Sequence, residues 1–233
     1  MGRGNDRRKQ KLKLKRQDKR RRGIKVPFTL ANVTKKMNGR SNEHQYKTNI
    51  HNLIFNDARF RNIRYSASNI TYCKFSRAKL VGIDFIYTNL KKSVFKESHL
   101  EDVVFFGVNL KDADFSRATF KNVYFINTNT KVAKNLNITN AEIKIINNYP
   151  ASILDKNLKN ILDNLVLNEK VYKHRVLHVN KEKVNKWFIE LLLNEFTQKE
   201  LYRALRKLDN PNRNTDFFTY YSYRKYILNY LNK

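Results

Sequence analysis

The chain has 233 residues, enough for one or two domains, and carries a net charge of +28. It contains no run of eighteen apolar residues, and its N-terminus lacks the apolar segment of a secretory signal, so neither a membrane span nor export is expected. Cys73 is the only cysteine, which excludes an intrachain disulfide and favours a reducing compartment. We therefore expect a soluble, cytoplasmic protein, or a nuclear or organellar one in a eukaryote.

Residues 1–26 are a basic arm. Residues 1–25 hold 13 Lys and Arg against Asp6 and Asp18, and a run of like charge this dense, with few apolar residues, is predicted to be disordered alone. Against a polyanion it would release counterions and bind with a steep salt dependence. The candidate nucleic-acid-binding residues are Arg7, Arg8, Lys9, Lys11, Lys13, Lys15, Arg16, Lys19, Arg20, Arg21, Arg22 and Lys25, extended toward the folded region by Lys35, Lys36 and Arg40.

Three other interpretations of the arm stay open. An anionic membrane would attract it, but Leu12 and Leu14 are its only apolar residues before Ile24, too few for an interfacial anchor. The stretch KRQDKRRR also fits a nuclear localisation signal. A solvated tail without a specific partner is the third alternative.

After a predicted cap segment at 27–47, the sequence repeats with a period of five residues, which neither a helix nor a simple strand explains. Fifteen successive positions at this spacing hold a large apolar residue: Phe55, Phe60, Tyr65, Ile70, Phe75, Leu80, Phe85, Leu90, Phe95, Leu100, Phe105, Leu110, Phe115, Phe120 and Phe125. Two positions before each lies a residue that is small or β-branched, Leu53 excepted. Two inward residues per short extended segment, followed by a turn, predict a coil whose turns stack at about 4.8 Å. Cys73 occupies one of the small positions and is expected to be buried there.

Segments such as KDADFSRATF, SRAKLVGIDF and NDARFRNIRY resemble the signature of pentapeptide-repeat proteins over about residues 46–130. The resemblance implies a right-handed quadrilateral β-helix with four pentads per coil. The predicted fold class is therefore a β-solenoid of about four to five coils at 48–146, followed by a small all-α domain. The repeat breaks at 131–135, and we expect it to resume out of phase, with Leu136/Ile138 and Ala141/Ile143 pointing inward.

From residue 150 to 233 the periodicity becomes helical. It predicts helices over 151–168, from an Asn180 cap to Phe196, from a Thr197/Glu200 capping box to about Leu208, and from Asp216 to Leu231. The segment 171–179 is ambiguous, with weak strand character. The tyrosines of the last helix are either its buried face or, among basic residues, a base-stacking surface. A faint resemblance of TQKELYRALRKL to a helix-turn-helix lacks a turn glycine. These helices would also permit a homodimer.

No enzymatic site or cofactor is expected. The six glycines form no phosphate-binding loop. His174 and His178 would share a helical face, but no third metal ligand follows at a suitable spacing, so no metal site is predicted. Asp112 and Asp114 are expected to be solvated surface residues.

The function predicted is that of a non-catalytic nucleic-acid-binding or scaffold protein. Its arm would bind structured RNA, in preference to DNA, or a ribonucleoprotein such as a ribosome, whose proteins are then possible partners. The alternative is a protein-interaction module that regulates or protects a topoisomerase, because the family includes quinolone-resistance proteins that bind DNA gyrase. Those proteins resemble DNA in shape and negative charge, whereas this chain is positive.

Overall fold

A computed structural model describes residues 36–209 and 216–232, the backbone of 29–31, and the single residues Leu14 and Asp18. The strands are β1 Thr29–Ala31, β2 Ser41–Tyr46, β3 Asn49–His51, β4 Arg59–Ser66, β5 Asn69–Thr71, β6 Lys79–Ile86, β7 His99–Glu101, β8 Val104–Phe106, β9 Thr119–Lys121, β10 Val123–Ile126 and β11 Ile143–Ile146. All of them pair in parallel with a partner 20 residues away, as Phe85 does with Phe105. Four pentads therefore complete one coil, and the β-solenoid has about five turns.

The interior is built from columns of identical positions. Phe55, Phe75, Phe95 and Phe115 stack with ring centroids 4.9–5.1 Å apart, and a second column runs from Tyr65 through Phe85 and Phe105 to Phe125. All fifteen predicted large residues are buried. Burial of each contributes about 1.5–3 kcal/mol before chain entropy is counted. The predicted solenoid core is confirmed.

The small inward positions satisfy buried polar groups as well as filling space. The Ser93 hydroxyl accepts from the Cys73 backbone N–H at 3.2 Å and donates to the Ile70 carbonyl at 2.8 Å. Thr128, on another side of the solenoid, does the same between Val108 and Phe105. A short hydroxyl side chain at these places ties two coils together without leaving a buried donor or acceptor unpaired.

Left-handed backbone makes the corners. Every fifth residue from 42 to 127 has φ between +44° and +67°. Asn and Asp occupy eight of these eighteen positions, since their side chains tolerate this conformation better than most. Only two are glycines, Gly82 and Gly107, and each of these lies beneath a tyrosine ring.

The expectation for 131–146 is corrected. The 20-residue register continues without a phase change, because Asp114 pairs with Lys134 and β10 with β11. Ile143 is buried and Leu136 half-buried, but Ile138 is 46% exposed and Ala141 is exposed. The five-residue spacing places Asn135 and Asn140 at large-residue positions here, which is tolerated in the last coil because no further coil stacks on it.

The ladder also extends into the predicted cap segment, 27–47. β1 pairs with β3, and β2 pairs with β4, in the same register as the rest of the solenoid. The hydrogen-bonded solenoid therefore begins before residue 48.

The C-terminal helices are α1 Lys156–Leu165, α2 Glu169–Tyr172, α3 Lys186–Leu193, α4 Gln198–Arg206 and α5 Tyr220–Leu231, with 3-10 turns at Thr130–Val132 and Lys207–Asp209. The Thr197/Glu200 capping box is confirmed. The Asn180 cap is wrong: Asn185 precedes α3, and a bridge between His178 and Val184 occupies the chain before it. The ambiguous segment contributes α2 and an isolated bridge.

The helices pack on one side of the solenoid, which we call the docked side. Five of its outward residues are apolar or aromatic and join a single cluster with the helices: Ile86, Val104, Phe106, Tyr124 and Ile126. Tyr220 and Tyr223 of α5 are fully buried in this cluster, and their hydroxyls donate to the carbonyls of Leu191 and Val171. These two tyrosines therefore form the buried face of α5.

A buried ion pair anchors the first turn of α5. Asp84 accepts from the Arg64 guanidinium at 3.0 Å and from the Tyr220 backbone N–H at 3.1 Å. Burial raises the pKa of Asp84 above its usual range, opposed by the charge of Arg64 and the Tyr220 N–H. Thr219, the N-cap of the helix, donates to Asn62 of the solenoid at 2.8 Å. The positive end of the α5 dipole thus meets the Asp84 carboxylate.

Candidate nucleic-acid interface

The residues predicted to bind nucleic acid fall into two groups. Those from Arg7 to Lys25, and Lys35, lie outside the described residues. Lys36 and Arg40 are described, and both make ion pairs on the first coil. The Lys36 ammonium lies 2.6 Å from Asp57, and the Arg40 guanidinium lies 3.3 Å from Glu43. These two cations are thus partly neutralised by the solenoid itself.

Carboxylates of the solenoid are engaged with neighbouring side chains. Of the seven acidic residues between 49 and 130, six form ion pairs: Asp57, Asp84, Glu97, Glu101, Asp102 and Asp112. Asp114, expected to be a solvated surface residue like Asp112, accepts hydrogen bonds from Ser116 and Asn135. Asp112 lies 3.3 Å from the Lys134 ammonium. The excess of basic residues is therefore carried by side chains outside these pairs.

One corner shows how the pairs form. Arg77 donates from Nε and Nη2 to the two carboxylate oxygens of Asp57, at 2.7 and 3.2 Å. Hydrogen bonds from Arg77, then from Lys36, lower the pKa of Asp57 to about 2. One coil further, Glu97 accepts from Arg117. Opposite charges 20 residues apart meet because the ladder stacks them.

A different pattern covers the side that we call the open side, formed by residues 48–52, 68–72, 88–92, 108–112 and 128–132. Its outward positions carry an asparagine every 20 residues and a lysine in the later coils: Asn49, Asn69, Asn89, Asn109, Asn129, Lys91, Lys92, Lys111 and Lys131. None of these four lysines forms an ion pair with a described carboxylate. The single acid among its outward positions, Asp112, is paired with Lys134.

Hydrogen bonds orient the asparagines. The side-chain oxygens of Asn89, Asn109 and Asn129 accept from the backbone N–H groups of Lys91, Lys111 and Lys131 at 3.0–3.1 Å. Because a backbone N–H is always a donor, these bonds identify the oxygen of each amide. The Asn89 amide N–H₂ donates to Asn69 at 3.3 Å. The ladder thus uses its oxygens internally, and its remaining amide groups are donors.

Two exposed tyrosines border this surface. Tyr87 is 62% exposed and lies over Gly107, where a Cβ atom would come within 2.6 Å of the ring. Tyr72 is 41% exposed, with the His51 ring edge-on at 5.1 Å and the Lys92 ammonium 5.4 Å from its centroid. Each ring is supported by neighbours yet remains accessible.

A second cationic group lies on the opposite side of the coil, at residues 58–62 and 78–82. Arg59 and Lys79 face each other across the β4–β6 ladder. Arg61 donates to the Tyr221 hydroxyl of α5 at 3.0 Å. This group contacts the helical region and is smaller than the open side.

The remaining candidate residues have structural contacts. Burial raises the pKa of the Cys73 thiol to about 11, so the thiolate is suppressed. His174 lies with its Nδ1 3.3 Å from that of His44, while His178 Nε2 lies 2.8 Å from the Leu162 carbonyl oxygen. The described residues contain no cluster of three or more His, Cys, Asp or Glu suited to a metal ion. Among them, no helix has the length and apolar character needed to cross a membrane.

Sequence reasoning at a period of five missed the open side and the docked side. The signal becomes visible at a period of 20, where Asn49, Asn69, Asn89, Asn109 and Asn129 align, as do the apolar outward residues of the docked side. Since one coil takes 20 residues, comparison at that spacing separates the four sides.

The repeat geometry defines the class of this fold, a β-solenoid of pentads. A family model described as pentapeptide repeats matches residues 83–122 and 98–129, with eight copies. The matched pentapeptide repeats lie within the solenoid, and a helical region follows it. No curated protein gives a significant match.

Solved structures of QnrB1, described as a plasmid-mediated fluoroquinolone resistance protein, are among those similar to this chain. A trypsin-treated form is 16% identical, over 52% of this chain and 81% of that chain, with a TM-score of 0.18. The full-length form is 13% identical, over 52% and 93%, with a TM-score of 0.14. At such TM-scores the likeness carries no functional argument.

Proposed function

We propose that this protein is a non-catalytic nucleic-acid-binding scaffold in which the basic arm and the open side of the solenoid both contact phosphates. One observation carries the proposal: six of the seven carboxylates between residues 49 and 130 form ion pairs, but Lys91, Lys92, Lys111 and Lys131 have no described carboxylate partner. Unpaired cations on a rigid surface keep their full charge for an external polyanion.

The position of the arm supports the same conclusion. Strand β1 pairs with β3, so it forms a rung next to residues 48–52, the first rung of the open side. The arm therefore precedes the β1 rung directly in the sequence. We expect RNA to be preferred over DNA, including RNA within a ribonucleoprotein such as a ribosome.

A salt titration tests the proposal. The dissociation constant for a fluorescein-labelled structured RNA would be measured from 50 to about 300 mM salt, for the full chain and for a chain lacking residues 1–25. The logarithm of affinity should fall steeply with the logarithm of salt for the full chain, and both slope and affinity should collapse on deletion. Equal, weak binding by both proteins would reject the proposal.

The alternative function, a module that regulates a topoisomerase or related enzyme, predicts a different result. Capture from lysate with and without nuclease distinguishes the two. Recovery of one protein, insensitive to nuclease and to deletion of the arm, would favour the alternative.

A further inference from the structure

The open side is more than a cationic patch, because it combines lysines with amide donors and exposed aromatic rings. Its single carboxylate, Asp112, is paired with Lys134. A duplex needs only cations for its phosphates, whereas exposed rings gain binding energy from unpaired bases.

The hydrogen-bonding groups of the open side indicate which ligand it fits. The asparagine oxygens of the later coils accept backbone N–H groups, so these asparagines and the lysines offer a ligand amide N–H and ammonium donors. A surface that offers donors to its ligand matches one rich in acceptors, such as the phosphate oxygens and base carbonyls of a nucleic acid.

The two exposed tyrosines indicate that the nucleic acid is single-stranded. Tyr87 and Tyr72 stand at opposite corners of neighbouring rungs, at the ends of 83–87 and 68–72. Tyr87 lies over Gly107, and Tyr72 is held by His51 and Lys92. Exposed rings that rest on neighbouring groups can stack on unpaired bases, while bases within a duplex cannot reach them.

We propose that the open side binds single-stranded nucleic acid, with Tyr87 and Tyr72 stacking on bases and with Lys111, Lys131 and the asparagine amides contacting phosphates. Five rungs at the usual strand spacing span about 20 Å, room for several nucleotides. This inference rests on the proposed function for its ligand class, and it specifies single strands and base stacking at the open side.

Fluorescence anisotropy with a labelled 20-nucleotide oligouridylate, and with an RNA duplex of the same length, tests the site in the full chain. Tyr87→Ala and Tyr72→Ala should each weaken binding of the single strand about tenfold and leave duplex binding unchanged. Tyr87→Phe, which keeps the ring, should retain affinity. Tyr87→Phe as weak as Tyr87→Ala, or equal losses on both probes, would overturn the stacking role.

The lysines have a matched control. Lys111→Gln/Lys131→Gln should reduce the slope of log affinity against log salt by about 1.4, since each contact with a single strand contributes about 0.7. Lys74→Gln/Lys96→Gln removes the same charge from the next side and should leave the slope unchanged. Equal changes in the two pairs would show that general charge, not this site, binds the strand.

The outcomes separate the two proposals. If the wild-type chain binds neither probe, the proposed function fails, and this inference fails with it. If the wild type binds and depends on residues 1–25, and the lysine variant weakens binding while the tyrosine variants behave as wild type, the inference fails and the proposed function stands. If the lysine variant also behaves as wild type, the contribution of the open side to the proposed function fails as well. Unchanged Trp187 fluorescence verifies that each variant is folded.

Discussion

The docked side and the open side share one backbone and differ in what points outward. On the docked side, outward residues such as Val104 and Phe106 are apolar, and the helices cover them. On the open side, the equivalent ladder presents asparagine and lysine, and the described residues place no helix over it. A solenoid coil therefore fixes four independent columns of outward side chains, and the chemistry of each column determines its partner.

The docked side also contains the only buried ion pair among the described residues, Arg64–Asp84. Substitutions in this ion pair should therefore destabilise the protein more than any substitution on the open side.

Asp84→Asn should destabilise the folded chain by about 3–5 kcal/mol, because it leaves the Arg64 guanidinium buried without its counter-charge. Arg64→Met should cost less in acid, since a buried carboxyl can take up a proton whereas a guanidinium does not lose one. Urea unfolding followed by Trp187 fluorescence at pH 5 and pH 8 would measure both variants.

The sign of the pH dependence follows from the raised pKa of Asp84. When the pKa of a group is higher in the folded than in the unfolded protein, its contribution to stability is complete at pH values below the unfolded-state pKa. That contribution is lost as the pH rises through the folded-state pKa. Arg64→Met removes a charge that opposes the rise, so this variant should be less stable at pH 8 than at pH 5, relative to wild type. A variant more stable at pH 8 would contradict this assignment.

Phe106→Ala should cost about 3 kcal/mol, because its ring is 7% exposed and contacts the helical region. Trp187 is the single tryptophan and lies 5.6 Å from Phe106 between ring centroids, so its emission should shift to the red if the helices loosen. Tyr72→Ala, on the open side, is the control and should cost less than about 1 kcal/mol. Equal costs would show that the two sides do not differ in their contribution to stability.

The interior of the solenoid was predictable because the fifteen large residues repeat every five positions and no other regular structure has that period. The capping box of α4 was predictable because Thr197 and Glu200 are three residues apart. The docked side depends instead on residues 20 apart and on Tyr220, 136 residues after Asp84. No local pattern joins such distant positions, so the docked side could not be predicted from the five-residue repeat.

Alanine substitutions at the two corner glycines, Gly82 and Gly107, should differ in their effect on stability. Alanine at either position would adopt a positive φ, +67° at Gly82 and +59° at Gly107, which costs about 1–2 kcal/mol in both cases. At Gly82 the new Cβ would also lie 2.3–2.7 Å from Cδ1, Cγ and Cβ of Tyr221, so α5 itself must move. At Gly107 it would meet only the ring of the exposed Tyr87, which can rotate away.

Gly82→Ala should therefore lower the free energy of unfolding by about 1–3 kcal/mol more than Gly107→Ala does, which is the usual penalty of overpacking. Urea midpoints of the two variants, measured side by side, test this difference. If Gly107→Ala proved the more damaging, α5 would not be held by the contact between Tyr221 and Gly82.

The smallest effect concerns how the solenoid uses its cations. Hydrogen bonds from Arg77 and Lys36 hold the pKa of Asp57 at about 2, below its ordinary 3.8. A lowered pKa contributes stability above the unfolded value that is lost as the pH falls from 3.8 through about 2. Arg77→Gln should therefore raise the Asp57 midpoint toward 3.8 in a carboxyl NMR titration, whereas Lys111→Gln should leave it unchanged. Because Lys111 lies on the open side without a described carboxylate partner, its removal should weaken nucleic-acid binding instead. A shift of Asp57 by both substitutions would mean that the lysines of the open side act through the general field of the protein rather than as free cations.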